Sequence, residues 1–587
     1  MTAASVAANL GGVALFALPG LGLAELLAPL RRLSLTRRLG YAYLLGVLAV
    51  GGVLFTVSHL FGAPLRRPVI AFVILVPMVL GLAMWIWRRR SRKSVMTPAS
   101  RWQLLAALAI GAVLLGPLTS ALAAPLADWD GRMTWSPLAA SMRHEGTVGA
   151  SVLRDARWYV VHPRYPPLLP LAQVAVQEMF GAGEDEQDYR AVYVAFLVAL
   201  VLVLHDGARR GAGPRAATLA TLCAALPPFL SYGGGGATSG YSDPALAGFY
   251  GAALVLLLLE RPGLASGFAA GCLLAGAVLT KNEGSLLAMA TLLLAAERLL
   301  RRRRDPVAAP KALAWFGAAA VPVLAAVALL ASWRAAIPNR DDEDYFAVLR
   351  LSDLVTGAFT RLPVIVPGIL RWTFRGADWL GFWWLFLAVL LAGLYALRRP
   401  RVRRLLLAGL FPAAIAWAAY AVSTRLPDLI GETWDRFLVQ GLVPLAFVFA
   451  CALGRLLGRL DLPFKPGEPD DASFEHPSVP RGPGSGPLLA RSGRGHHVLH
   501  DAGRGAGGRL AVDRRGAGGV RLGSSYRDSV HRLPREDPAP AQGPQPGSGD
   551  RGAAARGRQR QGPGDEDLGA HASRSRRSRT AVPGAAP

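Results

Sequence analysis

Cysteine is nearly absent. The 587 residues hold three, Cys223, Cys272 and Cys451, each inside an apolar run. That excludes a disulfide framework and a cysteine zinc site, and leaves them as small apolar packing. Acids are also scarce relative to bases: 39 Asp plus Glu against 64 Lys plus Arg, a formal net charge of +25. Such a surplus can mark a nucleic-acid binder. Here the bases fall mostly in short clusters between apolar blocks and in a C-terminal tail, so nucleic acid is rejected as a partner. No basic residue precedes the first apolar block, "NLGGVALFALPGLGLAELLAPL". It is longer than a signal-peptide core and has no convincing cleavage site, so it reads as a retained span. No internal repeat stands out.

What the chain has is apolar length. It is 52% hydrophobic, with a mean hydropathy of +0.33. Its apolar blocks run to roughly 16–24 residues, near the ~20 a helix needs to cross a bilayer. The expected fold is therefore an all-α polytopic membrane protein, with the lipid bilayer as its first partner. Hydropathy predicts about thirteen spans, near 9–30, 39–62, 68–87, 104–124, 190–205, 215–232, 244–259, 264–280, 284–300, 311–333, 379–397, 405–422 and 437–458. The connections at 31–38, 88–101, 208–215, 298–311 and 398–404 are strongly basic. They recur at alternate connections, which puts them inside and puts the N-terminus and most carboxylates outside.

Two outer loops are long, about 125–189 and 334–378. Each carries an apolar stretch, 166–180 and 352–372, expected to lie in the membrane interface. Loops of this length are uncommon without a function. From about 464 the chain turns Gly/Pro/Arg/Ala-rich and nearly free of aromatics. It cannot bury a core and is expected to be disordered. Two readings stand: a basic tail touching anionic lipid, or a GC-rich gene read out of frame. The expected division is 1–103 for the N-terminal spans, 104–460 for a second transmembrane module that carries the long outer loops, and 461–587 for the tail.

Five outer features could carry chemistry. "LADWDGRMTW" (126–135) places Asp128 and Asp130 beside Trp129 and Trp135 just past a span. A carboxylate there could take a proton from an attacking hydroxyl; equally, the loop is simply polar and the tryptophans are interface anchors. "HPRYPPLLPL" (162–171) sets His162 and Tyr165 before a double proline, a binding element or a rigid turn. "GGGGATSGYSDPALAGF" (233–249) ends a glycine-rich turn in Tyr241 and Asp243. Its glycines permit close approach to a ligand, or make a flexible tip. "LTKNEGSLL" (279–287) pins Lys281 and Glu283 between two spans, where charges are usually functional or paired. "GETWDRFLVQGLVPL" (431–445) sets Arg436 at the mouth of the last span, able to grip a phosphate through its planar fork or a lipid headgroup.

These segments resemble the GT-C integral-membrane glycosyltransferases that use polyprenyl-phosphate-linked sugars: protein O-mannosyltransferases, bacterial aminoarabinose transferases and dolichyl-phosphate-glucose glucosyltransferases. "DWDGRMTW" is similar to their first outer loop, which carries the catalytic Asp. "YPPLLPL" is similar to a Tyr-Pro-Pro-Leu segment downstream in that loop. The likeness covers roughly 104–460; the first three spans precede the usual module. It implies a sugar moved from a polyprenyl-phosphate carrier to a glycan, lipid or protein acceptor on the outer face of a bacterial-type cell membrane. Asp128 would be the base, with Asp130 supporting it. By side and chemistry, Lys281 and Arg436 would hold the donor phosphate. A D-x-D pair can also hold a divalent cation, which would neutralise the leaving phosphate; relatives differ on this, and neither the resemblance nor the sequence settles it, so no cofactor is assigned. The alternative is a transporter or flippase, which would place ionisable groups near the midplane on broken helices.

Overall fold

A computed structural model describes residues 3–31, 33–89, 101–124, 126, 128–155, 162–181, 189–302, 309–338, 350–423 and 425–459. The tail beyond 459, with both readings of it, lies outside the described residues. Among those residues the chain is wholly helical, with no strand. In order, the longer helices are α1 (Ala3–Leu26), α2 (Leu35–Phe61), α3 (Arg67–Arg89), α4 (Arg101–Ala123), α5 (Ser136–Glu145), α6 (Leu168–Phe180), α7 (Arg190–Ala212), α8 (Pro214–Ala225) and α9 (Asp243–Leu254). They continue as α10 (Leu264–Thr280), α11 (Asn282–Arg302), α12 (Ala309–Ala335), α13 (Leu351–Thr360), α14 (Leu362–Thr373), α15 (Phe382–Ala392), α16 (Pro400–Val422) and α17 (Leu426–Arg459).

Eight of these are long and apolar enough to cross a membrane, or up to ten if each of two bent pairs counts as one span. The protein is thus an integral membrane protein of polytopic helical type. Several expected spans are shorter or broken. The one at 215–232 is α8 followed by a turn of helix bent away by 60°, after the Pro227–Pro228 step that a straight helix cannot carry. Those at 244–259, 264–280 and 379–397 correspond to short apolar helices. The stretch 352–372 forms α13 and α14, bent by 69° at Arg361 and Leu362, just before Pro363. The stretch at 166–180 differs most. α6 is buried along most of its length and packs on α2 and α5, whereas a helix lying in the interface would leave one face to lipid.

Helices α7 and α17 form the centre. They pack on each other and are covered on nearly all sides, by α8, α9 and α16 among others. α2 packs on α6 and α7, and α1 on α2 and α7, so the N-terminal helices share this core. α3, α4 and α12 are peripheral and expose large apolar side chains such as Phe72, Leu108 and Leu324, as lipid-facing helices do.

The connections separate into two ends. At one, Arg37, Tyr41 and Arg210 all bind Asp206, Arg210 also reaches Glu260, and Arg404 binds Glu297 at 2.7 Å. These arginines come from, or border, the basic connections. At the other end, Leu65 N–H donates to the Gly146 carbonyl at 2.7 Å, and Trp333 Nε1 to the Val148 carbonyl at 2.9 Å. That second end carries the candidate site.

Candidate functional site

The site is built from helix ends. Asp243 opens α9, where the positive end of the helix dipole favours a carboxylate. Lys281 follows the last residue of α10, where the dipole favours a cation. Arg436 lies about ten residues into α17. That helix has 34 residues, or ~51 Å at 1.5 Å per residue. It exceeds the ~30 Å hydrocarbon core, so its first turns can project beyond the bilayer and carry Arg436 to the boundary.

Asp130 begins a π-helical turn, Asp130–Trp135, that leads into α5. The turn is held against the glycine-rich segment by two glycines. A Cβ on Gly131 would stand 2.7 Å from the Ser239 carbonyl oxygen, and Gly240 takes φ +73° with only 3.2 Å from its Cβ position to the Gly131 Cα. The two backbones touch, and only residues without a Cβ allow it. That contact brings Asp130 and Tyr241 to one place.

Asp243 is the hub. Its wholly buried carboxylate accepts Lys281 Nζ at 2.9 Å and Gln440 Nε2 at 2.8 Å on one oxygen, and Arg436 Nε at 3.0 Å on the other. Arg436 reaches on to Asp130 at 2.6 Å and lies 4.6 Å over the ring of Tyr241. Lys281 also pairs with Glu283 at 3.0 Å. Burial, chiefly, together with Asp130, pushes the Tyr241 hydroxyl up to about 12, against the pull of Arg436. Tyr165 lies near Arg436, stacks on His162 with ring centres 4.5 Å apart, and packs on Trp135.

The nine candidate residues therefore converge. Seven form one cluster: Asp130, Tyr165, Tyr241, Asp243, Lys281, Glu283 and Arg436. His162 joins through its stack on Tyr165. Asp128 adjoins but is chemically apart. Among the described residues its carboxylate accepts no side-chain hydrogen bond. Burial pushes its pKa above the ordinary carboxylate value, Arg190 opposes this, and Asp130 adds to it. One expectation is corrected: Trp129 is 61% exposed and suits an interface anchor, but Trp135 is fully buried and is a packing residue.

Two participants escaped sequence reasoning. Gln440 is four residues after Arg436, on the same helical face, and that spacing is a usable signal. Arg190 is a buried base at the end of a span opposite the basic connections, donating to the Thr238 carbonyl at 2.8 Å. Its breach of the charge alternation was the clue.

The cations are already occupied. Arg436 and Lys281 face three carboxylates, Asp130, Asp243 and Glu283. Among the described residues no three His, Cys, Asp or Glu side chains gather to hold a metal ion. A divalent ion between Asp128 and Asp130 would have to compete with the Arg436 guanidinium for Asp130.

No family model, curated protein or solved structure matches the chain.

Proposed function

We propose that the protein is a GT-C-like glycosyltransferase, with the site on the outer face of the membrane and Asp128 as its general base. The observation that carries this is the contrast between the two acids of "DWD". Asp130 is committed to Arg436 at 2.6 Å. Asp128 is half-buried, without a hydrogen-bond donor among the described residues, and has a raised pKa. A carboxylate free to accept a proton, with its affinity for one increased by burial, suits a base.

In the reaction, Asp128 takes the proton of an acceptor hydroxyl as that oxygen attacks the anomeric carbon of the donor sugar. The bond from that carbon to the polyprenyl phosphate breaks, and the electron pair leaves with the phosphate. Lys281 and Arg436 would receive this phosphate by exchanging their outer partners, Glu283 and Asp130, for it. Asp243 is the fixed counterion that holds both cations in place. A transporter is less suited to the arrangement, because the charges come from the ends of α9, α10 and α11 and from the first third of α17, not from the broken helices of a transporter site.

The test is transfer. The purified full chain is incubated with labelled polyprenyl-phosphate sugars and a panel of hydroxyl acceptors. Transfer or donor hydrolysis is expected, and Asp128→Asn is expected to lower it by at least a hundredfold. Activity that survives in both Asp128→Asn and Asp130→Asn would sink the assignment.

A further inference from the structure

A second feature shares the acidic turn through Arg132. A cavity of about 580 Å³ opens there, with Arg66, Arg132, Arg143 and His144 on its walls. That is within the ~300–1,000 Å³ range of small-molecule sites. The site described above uses none of these residues.

The cations are held differently. Arg66 donates to the carbonyls of Arg143 and His144, at 3.2 and 3.3 Å, and so braces the end of α5. Arg143 pairs with Glu178 at 3.0 Å. Arg132 is exposed, and among the described residues its side chain has no partner. With Glu178 counted, three guanidiniums face one carboxylate, and the cavity is cationic. The cluster around Asp243 has the opposite balance, three carboxylates to two cations.

Gln177 contributes a buried amide to the cavity wall. Gln177 is 5% exposed, lines the cavity, and has an Oε1 that is buried without a hydrogen-bond partner. Such a group costs stability unless something fills its need. Ser136 Oγ and Tyr189 Oη, 2.8 Å apart, complete the polar lining. Guanidiniums suit an oxyanion, and amide and hydroxyl groups suit the hydroxyls of a sugar. Arg132 ties the cavity to the acidic turn: its backbone N–H donates to the Asp128 carbonyl at 3.2 Å.

We propose that this cavity is an acceptor subsite for an anionic saccharide, one carrying a phosphate or carboxylate, which presents a hydroxyl to Asp128. The presenting role rests on the glycosyltransferase reading; the binding does not. Arg132 and Arg143 hold the oxyanion, and Gln177 and Ser136 hold sugar hydroxyls.

Binding tests it without turnover. The full chain in phosphatidylcholine nanodiscs is titrated calorimetrically with glucose 6-phosphate, glucuronate, glucose and inorganic phosphate. Saturable binding of at least one sugar anion is expected, tighter than that of glucose or phosphate. Arg132→Gln should weaken it tenfold or more. Because the Arg132 side chain has no partner among the described residues and its backbone bond is kept, this variant should melt with wild type. Gln177→Leu should weaken sugar-anion binding more than phosphate binding. Asp128→Asn should bind as wild type, and saturable binding by a wild-type chain that shows no transfer removes the enzyme reading and leaves the subsite. The proposal is overturned if neither sugar anion binds saturably, if Arg132→Gln binds as wild type, or if glucose or inorganic phosphate binds as tightly. It is also overturned if phosphatidylglycerol in the nanodisc competes the sugar anion away, for the occupant is then a lipid headgroup.

Discussion

Replacing Asp243 by Asn is the sharpest test of how the site is held. The substitution keeps shape and removes one charge. All three partners of Asp243 are donors: Lys281 and Gln440 on one oxygen, Arg436 on the other. An amide has one oxygen and one NH2. Whichever way it turns, the NH2 faces either Arg436 or Lys281, and a buried donor opposes a buried cation. Breaking a buried pair from one side costs ~3–5 kcal/mol, because the remaining charge is left uncompensated. Arg436 keeps Asp130 and Lys281 keeps Glu283, which favours the lower end. A loss near ~3 kcal/mol is roughly 150-fold in the folded-to-unfolded ratio. The assay is reversible denaturation of the purified chain in micelles, followed by tryptophan fluorescence. Lys281→Met in the Asp243→Leu background should recover part of the loss, since apolar replacements of buried pairs are often tolerated. If Asp243→Asn unfolds within ~1 kcal/mol of wild type, below the cost of one unmade charged hydrogen bond, Asp243 is not the hub.

Other outcomes follow from the same geometry. Asp128 has a raised pKa in the folded state, so the fold holds its proton more tightly than the unfolded chain does. Its contribution favours folding at low pH and is lost as pH rises from the unfolded value through the raised folded one. Asp128→Asn should therefore melt no lower than wild type at neutral pH, and a clear drop would argue that Asp128 is a structural ion-pair partner. As a base it must be ionised, so transfer should fall as pH drops through that raised value. Asp130→Asn should move this limb to lower pH, since Asp130 raises the pKa of Asp128; a limb that stays or rises contradicts the coupling. Gly240→Ala should destabilise by ~1–2 kcal/mol, because φ +73° is costly for an L side chain and the added methyl meets Leu126 and Gly131; a melt equal to wild type would show that the two turns are not in contact. With the three cysteines replaced by alanine, Ser151→Cys should react with an impermeant thiol reagent on intact cells and Arg401→Cys should not. The reverse pattern would invert the topology.

The apolar helices were legible because each crosses lipid alone and must carry its signal in its own residues. Where the signal failed, a local cause is visible. The last span reads as 437–458 but the helix begins at Leu426, since Asp428, Glu432, Asp435 and Arg436 lower hydropathy without breaking a helix. The stretch 166–180 reads as interfacial because its apolar character does not say what covers it, and α2 and α5 do.

The candidate residues were legible as types at one end of the bundle, but their roles were not, because a role depends on partners far along the chain. Arg436 meets Asp130 across 306 positions and Asp243 across 193. In sequence, "DWD" is symmetric about Trp129, and only the resemblance puts Asp128 ahead of Asp130. In the fold, one acid has a guanidinium and the other has burial without a donor. The cations set at the helix mouths as phosphate ligands are, as folded, neutralised by carboxylates. Any anion that binds them must displace Asp130 or Glu283, because Asp243 is closed to solvent. A displaced Asp130 would stand beside Asp128 without its counterion and raise the proton affinity of the base as the phosphate arrives. Donor binding and base strength would then be coupled through Arg436. Arg436→Lys, which keeps the charge but loses the fork that spans both acids, should weaken that coupling more than it weakens the fold.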